Sequence, residues 1–251
     1  MKRFRIFSAI AVLAVVALSS LTAILSQSQN SVQYPRALLT QKSNFARGAA
    51  AAMSEPFRGV ATSAGIVEGL FPVHSTGVST APVRSAAENF LATLDSGELS
   101  RAQFAIDDLE WRNWSNVDVG IFARHGISLE EMTAPQKTAA WDLLRVALSA
   151  EGLDQTEKIM RTEQALLEIN GEPIRYGEEK YYLTFMGIPS ASEPWGFQLD
   201  GHHLVVNFFV LGDQVVMTPA FYGGEPVFTE TGNYAGNEIL QQQQNLGLAL
   251  M

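Results

Sequence analysis

The sequence predicts an α+β fold, with N-terminal helices packed on one face of a C-terminal antiparallel sheet meander. Three observations carry this. Between Pro82 and Asn170, apolar residues recur at intervals of three and four, the period of an amphipathic helix. After Pro173 the period falls to two, the alternation of a half-buried strand. Gly212-Asp213 joins two of the strand-like runs as a tight hairpin turn, which makes them antiparallel neighbours.

Taken in order, the first helix opens near Pro82. It carries Val83, Ala86, Ala87, Phe90, Leu91 and Leu94, and Ser96-Gly97 are expected to stop it. A shorter helix is expected from Leu99 to Ile106, followed by the charged and aromatic run Asp107–Trp114. Ser128 with Glu131, and Thr133 with Gln136, each fit a capping box, and Pro135 suits a first turn. The helix they open is expected to reach Ala150 and to close at Gly152. Asp154 with Glu157 then caps a further helix carrying Ile159, Thr162, Leu166 and Ile169, ended by Asn170-Gly171. Strands are expected over Tyr181–Met186, Trp195–Leu199, His202–Leu211 and Gln214–Thr218. Asn237–Met251 reads as a helix with no cap after it, as though the domain were cut there.

Composition divides the 251 residues into three parts. Lys2, Arg3 and Arg5 precede an uncharged apolar run, Ile6–Leu25, and the polar Ser26–Asn30 follows it. That layout makes residues 1–27 a signal peptide or an N-terminal anchor. Residues 28–81 read as a low-complexity tether or arm, with at most one helical turn at Ala49–Met53. Residues 82–251 form the single α+β domain. The expected location is periplasmic or extracellular, or membrane-anchored if the N-terminal run is not cleaved, and the only membrane contact is through that run. The absence of cysteine excludes disulfides, thiolate metal sites and thiol nucleophiles. Net charge is −9, and −12 without the three leading cations, which disfavours nucleic acid as a partner.

One stretch, Trp195–Val210, organises the rest, since it holds two of the four histidines within the most strand-like run. Alternation puts Leu204, Val206 and Phe208 on a core face with His202. His203, Val205 and Asn207 fall on the other, a polar stripe suited to line a pocket. Adjacent strand residues diverge, so only one histidine is expected to join a given site. Asp200 and Asp213 lack a diagnostic ligand spacing, and neither metal nor cofactor is expected. Ser190, at a strand end beside Pro189, reads as a turn serine before it reads as a nucleophile. Asp107, Asp108 and Glu110 supply carboxylates beside Trp111 and Trp114, which fits a glycan site, and Asp107-Asp108 fits a turn cap equally. Arg112, between the two tryptophans, either anchors a buried carboxylate or binds an anionic ligand.

The residues also resemble a family, the mainly bacterial one catalogued as domain of unknown function 3500. The resemblance is carried by Asp107-Asp108 with Arg112-Asn113-Trp114, Arg124–Leu129, the Gln136–Ser149 helix and Tyr181–Ser190. It continues with Trp195-Gly196, Gly201–Leu204 with Asn207-Phe208, and Thr218–Gly223. It spans roughly Pro82 to Phe228 and implies a further helical segment after Met251. It implies no activity. Members often place a small hydroxyl residue where this chain has Val205.

The function expected from these readings is an exported hydrolase acting on a small anionic or glycan ligand. His203 is the proton-transfer residue, Arg112 and Asn207 orient the ligand, and Trp114 and Trp195 form walls. The alternative is a non-catalytic envelope module that binds such a ligand in the same pocket.

Overall fold

The computed structural model describes residues 35–251 apart from Phe57 and Phe71, so the apolar run Ile6–Leu25 lies outside the described residues. Among the described residues no helix is long and apolar enough to cross a membrane.

The first element overturns the expectation of a single turn. Helix α1 covers Arg36–Ser54, 19 residues, and only Leu38 is buried in it. Its sequence lacks an apolar stripe but contains Ala49–Ala52, the residue type with the strongest intrinsic helix preference. A search for periodicity therefore passes over it. A small hairpin follows, β1 (Ala61–Thr62) with β2 (Gly65–Ile66).

Helix α2 (Ala81–Leu91) buries Val83, Ala87 and Phe90. Ser96-Gly97 do not stop it but begin α3 (Ser96–Ala102). The Asp95 carboxylate accepts from the amides of Gly97 and Glu98, and Glu98 accepts from the amide of Asp95 in return. Chain then passes directly into β3 (Gln103–Phe104) instead of continuing as helix to Ile106. The Ser128–Glu131 box closes only a turn, because Ser128 belongs to β4 (Ile127–Ser128). The Thr133–Gln136 box does open a helix, α4 (Ala134–Ala147). Leu148 is extended, and Ser149 caps α5 (Ala150–Asn170) through the amide of Gly152. Gly152 thus begins a helix where it was expected to end one. Asp154 and Glu157 lie inside α5, paired one turn on with Lys158 at 2.8 Å and Arg161 at 3.1 Å. Gly171, at φ +67°, ends α5 in the left-handed conformation that glycine adopts freely.

The sheet adds β5 (Tyr182–Met186), β6 (Trp195–Gly201), β7 (Leu204–Leu211), β8 (Gln214–Val216) and β9 (Ala220–Tyr222). Its order is β3-β5-β6-β7-β8, with β4 also on β5 and β9 also on β7. The fold is α+β, but the sheet is mixed and not purely antiparallel, since β3 runs parallel to β5. Antiparallel pairing of β6 with β7 and of β7 with β8 follows from the two-residue turns that join them. β3 comes instead from the helical half of the chain, and the long excursion between it and β5 leaves a parallel pairing open.

The two sheet faces are both covered. On one, Leu183, Phe185, Phe197, Leu199, Leu204, Val206 and Phe208 join the helix residues in a single core. Phe90 stacks on Phe185 at 5.6 Å, and Phe197 on Phe208 at 5.2 Å. Leu204, Val206 and Phe208 therefore point where alternation placed them. The opposite face carries the segment 105–125. Trp111 packs edge-on to Phe209 at 6.1 Å, and a Cβ at Gly196 would stand 2.6 Å from its ring. Gly196 is required there for that close approach. The C-terminal helix α6 (Gln241–Ala249) buries no side chain.

Candidate functional site

Strands β6 and β7 pair as far as Gly201 with Leu204, so His202-His203 are the two residues of the hairpin turn and not the start of a strand. The divergence expected of adjacent strand residues does not apply in a turn. The two imidazoles instead stack, with ring centroids 3.8 Å apart. His203 is held at φ +59°, its amide donating to Asn116 O at 3.1 Å and its carbonyl accepting from Gly223 N at 2.8 Å. His202 Nδ1 lies 2.6 Å from Oε1 of the buried Glu163. Burial raises the pKa of Glu163, and His202 pulls it back. His203 Nε2 lies 3.4 Å from Oε2 of the exposed Glu225, and burial lowers the pKa of His203, the neighbouring His202 adding to the effect.

The polar stripe on the second face is present but sealed. Register places Thr184, Gln198 and Asn207 side by side across three strands. All three are buried; Asn207 Oδ1 accepts from Gln198 Nε2 at 2.7 Å, and Asn207 Nδ2 donates to Pro219 O at 2.8 Å. Beside them Asp200 Oδ2 sits 3.1 Å from Arg124 Nε, and both side chains are buried. Burial raises Asp200 to about 7 against the opposing pull of Arg124. Trp195 is fully buried and donates its indole N–H to Ser190 O, so it is a core residue. Ser190 Oγ accepts from the amides of Ser192 and Glu193, the arrangement of a turn serine.

Arg112 does not anchor a buried carboxylate. Its guanidinium donates to the carbonyls of Ala52, Met53 and Glu55, closing the C-terminal end of α1. Asp108 caps the 3₁₀ turn Leu109–Arg112 through the amide of Glu110 at 2.8 Å, which is the structural reading of that acidic pair. Arg112 and Trp114 do share a hollow of about 390 Å³, with Phe45, Met53, Asn113 and Phe122 in its wall. Neither His203 nor Asn207 lines it. Ala49, Met53, Asn113 and Phe122 also line an adjoining hollow of about 170 Å³, and there the histidine is His125.

His125 is built for that position in a way the sequence did not announce. The 3₁₀ turn buries Glu110, whose Oε2 accepts from Asn113 Nδ2 at 3.0 Å and lies 2.7 Å from His125 Nδ1. The His125 ring stacks on Phe104 at 5.8 Å. The Glu110 hydrogen bond raises the His125 pKa, and desolvation opposes it. A buried carboxylate on Nδ1, with Asn113 Nδ2 3.2 Å from the same nitrogen, fixes the ring, and among the described residues no hydrogen bond falls on Nε2 of the half-exposed imidazole. That is the arrangement of a proton-transfer group at the rim of a groove. The one local signal was the three-residue spacing of Glu110 and Asn113 on a capped turn.

Two histidine sites thus lie toward opposite ends of β5. His125 stacks on Phe104, which pairs with Met186, whereas the Tyr181 hydroxyl donates to His202 O at 3.0 Å. No curated protein and no solved structure matches the chain. Residues 76–251 match a family described as "Protein of unknown function (DUF3500)", which takes in both histidine sites and leaves α1 before it. With more than two thirds of its length matched, the chain belongs to that family.

Proposed function

We propose that this is an exported hydrolase of a small ligand with both an apolar face and polar groups, as a glycan has. The reaction takes place in the groove between α1 and the segment 105–125. One observation supports this above others: the buried Glu110 aligns His125 at the edge of hollows walled by Trp114, Phe45 and Phe122. An orienting carboxylate is what separates a proton-transfer histidine from a solvated one. It favours His125 over His203 for that role, because Glu225 is 71% exposed and 3.4 Å away. Trp114 remains a wall residue, and Arg112 shapes the groove by anchoring α1 and does not grip an anion. Export rests on the basic flank and apolar run of residues 2–25.

A second reading, a non-catalytic binding module, draws on the predominantly apolar lining of the same groove. Incubating the full chain with p-nitrophenyl acetate, p-nitrophenyl phosphate and p-nitrophenyl β-glucoside separates the two. Enzymatic release of nitrophenol supports the hydrolase. No release, with saturable thermal shifts from the β-glucoside, supports the binding module instead. Fusing residues 1–30 to a reporter active only outside the cytoplasm tests export, and a silent reporter overturns it.

A further inference from the structure

We propose that His202, His203 and Glu225 form a binding site for one zinc(II) ion. The site stands apart from the groove of His125 and does not depend on hydrolysis there.

Three donor atoms converge. One ring nitrogen from each histidine and one oxygen of Glu225 all lie within 4.8 Å of one another. The turn sets both rings on the same side of the chain, where strand neighbours would have faced opposite ways, and from their stacked position, with centroids 3.8 Å apart, the rings tilt apart to aim one nitrogen each at the same ion. Two atoms each about 2.1 Å from a tetrahedral zinc stand roughly 3.4 Å apart. His203 Nε2 and Glu225 Oε2 are separated by 3.4 Å, long for a hydrogen bond and right for two ligands of one ion.

The surroundings fit the same reading. Glu163, itself 2% exposed, holds His202 Nδ1 at 2.6 Å, which leaves Nε2 as the nitrogen for an ion. Carboxylate–histidine–metal relays use this arrangement to fix the ring and strengthen the ligand. His203 occupies a left-handed backbone conformation at φ +59°, which turns its ring to the same side as that of His202. Glu225 is exposed, which lets it swing onto an ion and leaves one side of the site open for water. Two imidazoles and a carboxylate, with no cysteine in the chain, form a donor set suited to zinc.

The test uses the full chain without a histidine tag, stripped with EDTA, and titrates zinc chloride by calorimetry. The proposal expects one zinc per chain. It expects His203→Ala and Glu225→Gln each to weaken binding by at least about 100-fold, and Glu163→Gln by roughly 10–100-fold. Glu225 is on the surface, so Glu225→Gln reports on binding even if the histidine variant folds poorly, and circular dichroism checks both. His125→Ala should leave zinc binding unchanged, which keeps the failure of either site separate from the other. Zinc affinity unaffected by Glu225→Gln and His203→Ala, or no saturable binding by the wild type, overturns the proposal.

Discussion

Glu110 Oε2 lies 2.7 Å from Nδ1 of His125, and the carboxylate is buried while the imidazole is half exposed. A charge held below the surface against a ring at the surface makes the ring's protonation depend on its partner. The pKa of His125 is therefore raised above its ordinary 6.5, first through the hydrogen bond to Glu110. The pair contributes stability that is fully present below about 6.5 and is lost as pH rises through the raised value. Following the His125 ring proton by NMR should give a midpoint above 6.5, and Glu110→Gln should bring it down. A wild-type midpoint at or below 6.5 contradicts the pairing.

Arg112 is predicted to act on stability and not on an anion. Arg112→Ala removes three hydrogen bonds from a charged donor to the end of α1 and should cost about 1–2 kcal/mol in urea denaturation. Limited proteolysis should then cut within Arg36–Ser54 sooner. A stable variant with α1 equally protected contradicts the capping role.

The two turn histidines should respond differently when metal-free protein is denatured in EDTA. His202→Ala leaves Glu163 buried without its partner and should cost about 2–4 kcal/mol. His203→Gly relieves a left-handed residue and should stay within about 1 kcal/mol of wild type. Equal costs contradict the description of the turn.

Asn207 is predicted to be structural. Asn207→Ala strands the buried Gln198 Nε2 and frees Pro219 O, which should cost about 1–3 kcal/mol in chemical denaturation. A cost below about 0.5 kcal/mol would mean that the amide is open to solvent.

Much of the fold was legible because period reports burial directly. Leu204, Val206 and Phe208 are on the core face for the reason the alternation suggests, and Thr133–Gln136 caps α4 as its pattern requires. What escaped had causes other than period. α1 is held by alanine propensity and by a distant arginine, and β3 joins the sheet across a long connection. The turn at His202-His203 contains neither residue of the usual Asn-Gly pair, so the break between the strands was expected two residues early, at Asp200-Gly201. The histidines were found, but their stacking could not be, since alternation describes strands only. Glu110 and His125 are 15 residues apart and meet only because a 3₁₀ turn and the chain before β4 are folded onto the same sheet face.

The most direct test of the account is the rate of the His125 variant on whichever nitrophenyl substrate the full chain hydrolyses. Proton transfer by an oriented group contributes roughly 10²–10⁴-fold. His125→Ala should therefore lower kcat by that factor, whereas the control His74→Ala, at an exposed loop histidine bonded to Pro72 O, should keep the wild-type rate. A His125→Ala protein that is folded and turns over at the wild-type rate contradicts the placement of the reaction in this groove.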